Sequence, residues 1–143
     1  MAPVRPVDAL AACSRRLSEL DTNILIDAFA GQPDAVRILS GERAQNVDWI
    51  GYSAVTRLEI LGFSELNAAD ERGLRDLLAE FEEAAITSAV IEQAIEIRRA
   101  TRIKIPDALI AATALVYEAH LVTRNANDFI SVSGVQVVNP ATL

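Results

Sequence analysis

The chain has 143 residues, with 13 Lys and Arg against 20 Asp and Glu and a formal charge of -7 at pH 7, which fits one domain with its own core. One cysteine (Cys13) and one histidine (His120) exclude an internal disulfide, CxxC redox chemistry, His/Cys zinc sites and paired-histidine catalysis. Without a run of about 18 uncharged apolar residues the chain reads as cytoplasmic with no membrane partner, and its acidity repels nucleic acid unless a basic patch or a bound cation offsets that field.

Residues 1–15 contain Pro3, Arg5, Pro6 and Asp8 and read as a flexible arm ahead of a single domain over 16–143. Leu10-Ala11-Ala12-Cys13 has the look of a lipoprotein cleavage site, but those residues interrupt the apolar run of ~7–15 that such a site requires. From about residue 17, short apolar runs alternate with amphipathic helical stretches, without repeats or a linker, the pattern of an α/β domain with a mostly parallel sheet. Strands are expected at 17–21, 48–52, 84–87, 120–123 and 135–138. Ser18 and Glu19 suit a doubly buried strand poorly, so Glu19 should find a partner or lie near an edge. Leu74, Leu77, Leu78 and Phe81 recur at helical spacing behind a capping Asn67, which predicts a helix over 68–83. A second helix, over 89–103, begins after Ser88 and carries Val90, Ile91, Ala94, Ile95 and Ile97 on one side. The stretch 106–119 is apolar nearly all round, with Pro106 suited to its first turn, and should form a central helix packed on both sides.

Four positions stand out because apolar residues flank a polar group. Asp21 sits where the first strand hands over to a helix; it suits an N-cap, and it also projects from the carboxyl end of a strand, where ligands gather in parallel α/β sheets. Glu59 shares its helix face with Val55, Leu58 and Gly62 and should point inward or into a cleft, where it needs either an arginine or a cation. Asp107 falls in the first turn of the apolar helix, where the dipole favours a carboxylate as cap or as metal ligand. Asn125 and Asp128, three residues apart after the fourth strand, either cap a turn or approach the same cleft. Acids meeting at one sheet edge raise one another's pKa unless a cation compensates, and an oxygen-only set suits Mg²⁺ or Mn²⁺.

LDTNILID (20–27), VTRLEILGF (55–63), KIPDALIAATAL (104–115) and LVTRNANDF (121–129) resemble the motifs of the PIN domain family, and in particular the VapC-type ribonuclease toxins, in order and separation. The resemblance covers about 17–139. It implies a three-layer α/β/α sandwich around a mostly parallel sheet of about five strands, with Asp21, Glu59 and Asp107 as metal-site acids and Asp128 joining them catalytically. It implies polar support from Thr22, Asn23, Thr123 and Asn125, and metal-dependent cleavage of RNA by a homodimer that a cognate antitoxin inhibits. Many members carry an acid where this chain has Asn125. Arg57, Lys104 and Arg124, with Arg98, Arg99 and Arg102, are the cations available for RNA phosphates.

Two other readings compete. A receiver-type phosphoryl acceptor needs acids beside Asp21 and a downstream lysine, whereas Lys104, the only lysine, precedes a helix. A PIN-like module impaired by Asn125 would act through partner or nucleic-acid binding alone.

Overall fold

Hydrophobic periodicity switches between two and 3.6 along the chain, and the computed structural model turns that alternation into five strands and seven helices over the described residues, 16–44 and 47–140. The arm expected over 1–15 lies outside them. The elements are β1 (Leu17–Leu20), α1 (Thr22–Phe29), α2 (Pro33–Ala44), β2 (Trp49–Ser53), α3 (Ala54–Leu61) and α4 (Ala68–Leu78), then β3 (Glu82–Ala84), α5 (Ser88–Ala100), α6 (Ile105–Tyr117), β4 (His120–Val122), α7 (Ala126–Phe129) and β5 (Val137–Val138).

The strands form one parallel sheet in the order β3-β2-β1-β4-β5. The chain steps from β1 to β2 to β3 in one direction, then returns to lay β4 on the other side of β1. Strand order therefore reverses between β1 and β4, and such a switch point opens a crevice at the carboxyl ends of the strands. A receiver-type sheet runs 2-1-3-4-5, so this topology removes the receiver reading.

One face of the sheet is covered by α5, α6 and α7, where Val90, Ala94, Ile97, Ile110, Ala111, Leu121 and Phe129 share a core. The other is covered by α1, α2 and α4, where Leu20, Ile24, Leu25, Ile38, Leu39, Tyr52, Leu74 and Leu78 pack together. The expected three-layer sandwich is thus present. The expected central helix is α6: Ala108, Ile110, Ala111, Ala112 and Ala114 are all buried, and the small side chains let α6 lie close to both α5 and the sheet.

Boundaries differ in three instructive places. The third strand occupies 82–84 instead of 84–87, because Glu82–Ala84 pairs with Gly51–Ser53 at the sheet edge, where exposed glutamates are tolerated. Residues 85–87 instead lead into α5, whose cap is Thr87 and not Ser88: its side chain accepts the Val90 N–H. Asn67 caps α4 as expected, accepting from Asp70 N, but the helix stops at Leu78 and Phe81 is buried from the following turn.

Glu19 has neither of the expected escapes. It lies in the central strand with no exposed surface, and neither carboxylate oxygen has a hydrogen-bond partner among the described residues. Its register partners are Gly51 and Leu121, which places it on the α6 side of the sheet. Beside it the Trp49 ring lies over Gly51; a Cβ there would sit 2.4 Å from the indole. Burial, reinforced by the charge of Asp21, pushes the Glu19 carboxyl well above the usual carboxylate range. Because an unsatisfied buried polar group costs about 1–3 kcal/mol, Glu19→Met should raise the unfolding free energy at pH 7 by that order, read from urea denaturation. A variant no more stable than the parent would show that Glu19 is buried without cost.

Candidate active site

β1 and β4 end side by side. The backbone N–H of Asp21 donates to Val122 O at 2.9 Å, which carries the pairing one residue past the strands. Asp21 is buried at the start of α1, and two donors fix its carboxylate: Thr22 N to Oδ1 at 2.7 Å and the Thr123 hydroxyl to Oδ2 at 2.6 Å. The capping and the cleft-facing readings of Asp21 thus hold together. The Thr123 oxygen also accepts the Asn125 N–H at 2.9 Å, so one buried hydroxyl joins Asp21 to the turn that follows β4. A carboxylate oxygen has two lone pairs, so each Asp21 oxygen retains capacity for a cation.

On the β2 side, Ser53 caps α3 by accepting Val55 N at 3.2 Å, which starts the helix directly at the strand end and brings Glu59 to the crevice. Thr22 Oγ1 donates to Glu59 Oε1 at 2.8 Å and lies 3.0 Å from Thr56 Oγ1. Since Thr22 has one hydroxyl proton, Thr56 is the donor in that second bond. The face that Glu59 shares is divided: Val55 is buried in the core, whereas Leu58 is 69% exposed and Glu59 itself is exposed, so Glu59 takes the cleft-facing alternative. Threonine hydroxyls position Glu59, and α3's arginine, Arg57, pairs instead with Glu83 at 2.5 and 3.1 Å.

Asp107 stands half-buried in the first turn of α6, and Asp128 is exposed in the first turn of α7. The charges of Glu59 and Asp128 act on both Asp21 and Asp107. Desolvation raises the Asp21 pKa above its ordinary value, the Thr123 and Thr22 hydrogen bonds work against that, and the charges of Glu59 and Asp128 add to the rise. Asp107 is pushed up to about 6, first by desolvation and then by Asp21, Asp128 and Glu59, with only Lys104 opposing. Among the described residues no three acidic, His or Cys side chains close on one ligating point. The donors border the cleft without being gathered, and their chemistry, four hard oxygen ligands short of positive charge, fits a divalent cation of the Mg²⁺ or Mn²⁺ kind.

The supporting residues divide. Thr22 and Thr123 are buried and bonded to the acids, whereas Asn23 is exposed on α1 and makes none of these bonds. Asn125 occupies the cap position of α7 without a side-chain capping bond. Lys104 is exposed one turn before Asp107. Arg98 donates to the Ile103 carbonyl at 2.8 Å. Arg124 is bound to Asp27 and Asp34, a pairing that sequence spacing gave no means of finding because it spans three separate elements.

Fold and cleft together define a three-layer α/β/α protein with an oxygen-only acidic site at its switch point. The PIN domain family model matches residues 19–135, and the chain belongs to that family, whose members are nucleases. A protein from a toxin–antitoxin complex of Klebsiella pneumoniae is 32% identical with a TM-score of 0.71, over 86% of this chain and 97% of that one. FitAcB from Neisseria gonorrhoeae is 26% identical with a TM-score of 0.71, over 88% and 99%. VapBC2 from Rickettsia felis, bound to a DNA fragment from its promoter, shares the fold at 24% identity and a TM-score of 0.76, over 86% and 98%. The resemblance to VapC-type PIN domains carried by the four motifs is borne out. Comparison with curated protein sequences found no significant match.

The elevated Asp107 pKa fixes the sign of a pH effect. In the unfolded chain the group titrates near 3.8 and in the folded protein near 6, so metal-free native protein loses stability as pH rises through that window. Asp107→Asn should therefore melt higher than the parent in chelator at pH 7, with the gap closing as pH falls to 4. Equal melting temperatures across the whole range would show that neither burial nor the neighbouring acids penalise the Asp107 carboxylate.

Proposed function

We propose that this protein is a divalent-metal-dependent endoribonuclease acting in the cytoplasm as the toxin of a toxin–antitoxin pair. The observation that supports it most is the bonded pair at the crevice, Asp21 held by Thr22 and Thr123 and Glu59 held by Thr22, with the charges of Glu59 and Asp128 bearing on Asp21 and Asp107. Asp21, Asp107 and Glu59 would hold the cation, Mg²⁺ or Mn²⁺, which when bound supplies an acidified water and neutralises charge on a phosphodiester. Asp21 is presented in one orientation by the Thr22 N–H and the Thr123 hydroxyl. Glu59, held through one oxygen by Thr22, keeps the other oxygen to accept a proton from the attacking water. Lys104, exposed and close enough for its charge to act on Asp107, would supply a phosphate contact.

Asp128 supports the catalytic reading over the impaired-module one. Its charge reaches both Asp21 and Asp107, so a carboxylate is available at the position where Asn125 offers only an amide. Exposed Ile91, Ile95 and Ile105 line an apolar groove of about 410 Å³ between α5 and α6, with Arg98 and Arg99 in its wall, which suits an amphipathic, acidic antitoxin segment. The structural neighbours that come from toxin–antitoxin complexes support such a partner. Leu58, exposed on α3, is apolar surface of the kind a homodimer covers. No helix among the described residues is long and apolar enough to cross a membrane.

Asp21→Ala, Glu59→Gln and Asp107→Asn should each reduce cleavage of total RNA in Mg²⁺ or Mn²⁺ by on the order of 10²–10⁴-fold, with unchanged circular dichroism, and Asp128→Ala by less. Chelator should abolish cleavage by the parent. A folded Asp107→Asn protein that cuts at the parental rate would refute the mechanism.

A further inference from the structure

Arg124 lies in the turn between β4 and α7, flanked by the two residues that share the buried hydroxyl: Thr123, which holds Asp21, and Asn125, whose N–H that hydroxyl accepts. Its guanidinium reaches α1 and α2. Nε donates to the Asp27 carboxylate on α1, Nη1 donates to Asp34 Oδ2 on α2 at 2.6 Å, and Nη2 donates to the second Asp34 oxygen. Asp34 is fixed in turn, since its Oδ1 also accepts the Ala35 N–H at 2.9 Å. All three side chains are about three-quarters buried, at 26%, 27% and 24% exposure. The two-pronged pairing with Asp34 has the directional geometry that makes arginine a rigid tie and lysine a poor replacement.

This arrangement does not suit a phosphate-binding arginine. One cation against two carboxylates leaves the cluster anionic, and every guanidinium nitrogen already donates to a carboxylate. It does suit a brace. The side-chain bonds of the β4–α7 turn itself to Asp21 run through Thr123 Oγ1, and α7 is a single turn without a side-chain cap. Arg124 supplies the tie to α1, the helix that begins at Asp21.

We propose that Arg124 is a positioning residue: by clamping the β4–α7 turn to α1 and α2 through Asp27 and Asp34, it sets the Thr123 hydroxyl on Asp21 and brings Asp128 to the cleft. The catalytic and metal-binding parts of this inference rest on the reading proposed above; the structural part does not.

Three variants test it: Arg124→Ala, Arg124→Lys, and Asp27→Asn combined with Asp34→Asn, which keeps the arginine and removes its anchors. Amide hydrogen exchange is the first readout, and the Asn125 N–H should lose protection in Arg124→Ala and in the double variant while the β1 amides keep theirs. Calorimetric titration with Mn²⁺ alone should show affinity reduced by about 10–100-fold in both, and RNA cleavage should show kcat reduced on the same scale with little change in KM. Arg124→Lys should recover part of each loss, and together with the double variant it decides the matter if Arg124→Ala does not fold. Unchanged Asn125 protection would overturn the proposal. So would a raised KM with unchanged kcat in Arg124→Ala accompanied by tighter RNA binding in the double variant, the signature of a phosphate contact. If the parent protein fails to cleave RNA, the nuclease reading falls by itself, and amide exchange still decides the clamp.

Discussion

Two residues 102 positions apart meet where β1 and β4 end, and their hydrogen bond, from the Thr123 hydroxyl to Asp21, organises the rest of the site. It depends on the reversal of strand order: only because β4 returns to the side of β1 opposite β2 does the fourth strand end beside the first. From that seam the network spreads both ways. Thr123 orders Asn125 on one side, while on the other Thr22 links Asp21's helix to Glu59, with Thr56 donating behind it. Three threonines thus hold Asp21 and Glu59 at the cleft.

Holding like charges together works against stability, and the molecule shows where. Asp107 and Asp21 are both driven toward the protonated form by desolvation and by their neighbours, a strain that a bound cation would relieve. Glu19 is different in kind. It lies on the α6 side of the central strand, with no donor among the described residues to satisfy it.

The two faces of the sheet are finished unequally. The α6 layer is built from small side chains, which lets the helix approach the strands closely and leaves Ile91, Ile95 and Ile105 outside the core. On the opposite layer Ile26, Phe29 and Val36 are exposed on α1 and α2, the same helices that Arg124 ties to the site.

Local chemistry was enough to place much of this. The apolar run of α6, the Asn67 cap and the four motifs each depend on residues within a few positions of one another, so the α/β class, the family and the acids at strand ends were legible in the sequence. Edges were less so: β3 shifted to Glu82–Ala84 because a sheet edge tolerates exposed glutamate where a central strand would not. Helical spacing put Glu59 on the face of Val55 and Leu58, but only the approach of Thr22 from another element decided that it would be held at an open cleft and not buried. Spacing was equally silent on Arg124, whose guanidinium is claimed by carboxylates 90 and 97 positions away. Residue type and periodicity are properties of a few neighbouring positions and act before the chain folds; the partner that satisfies a buried or charged group is chosen by strand order, and strand order exists only in the tertiary structure.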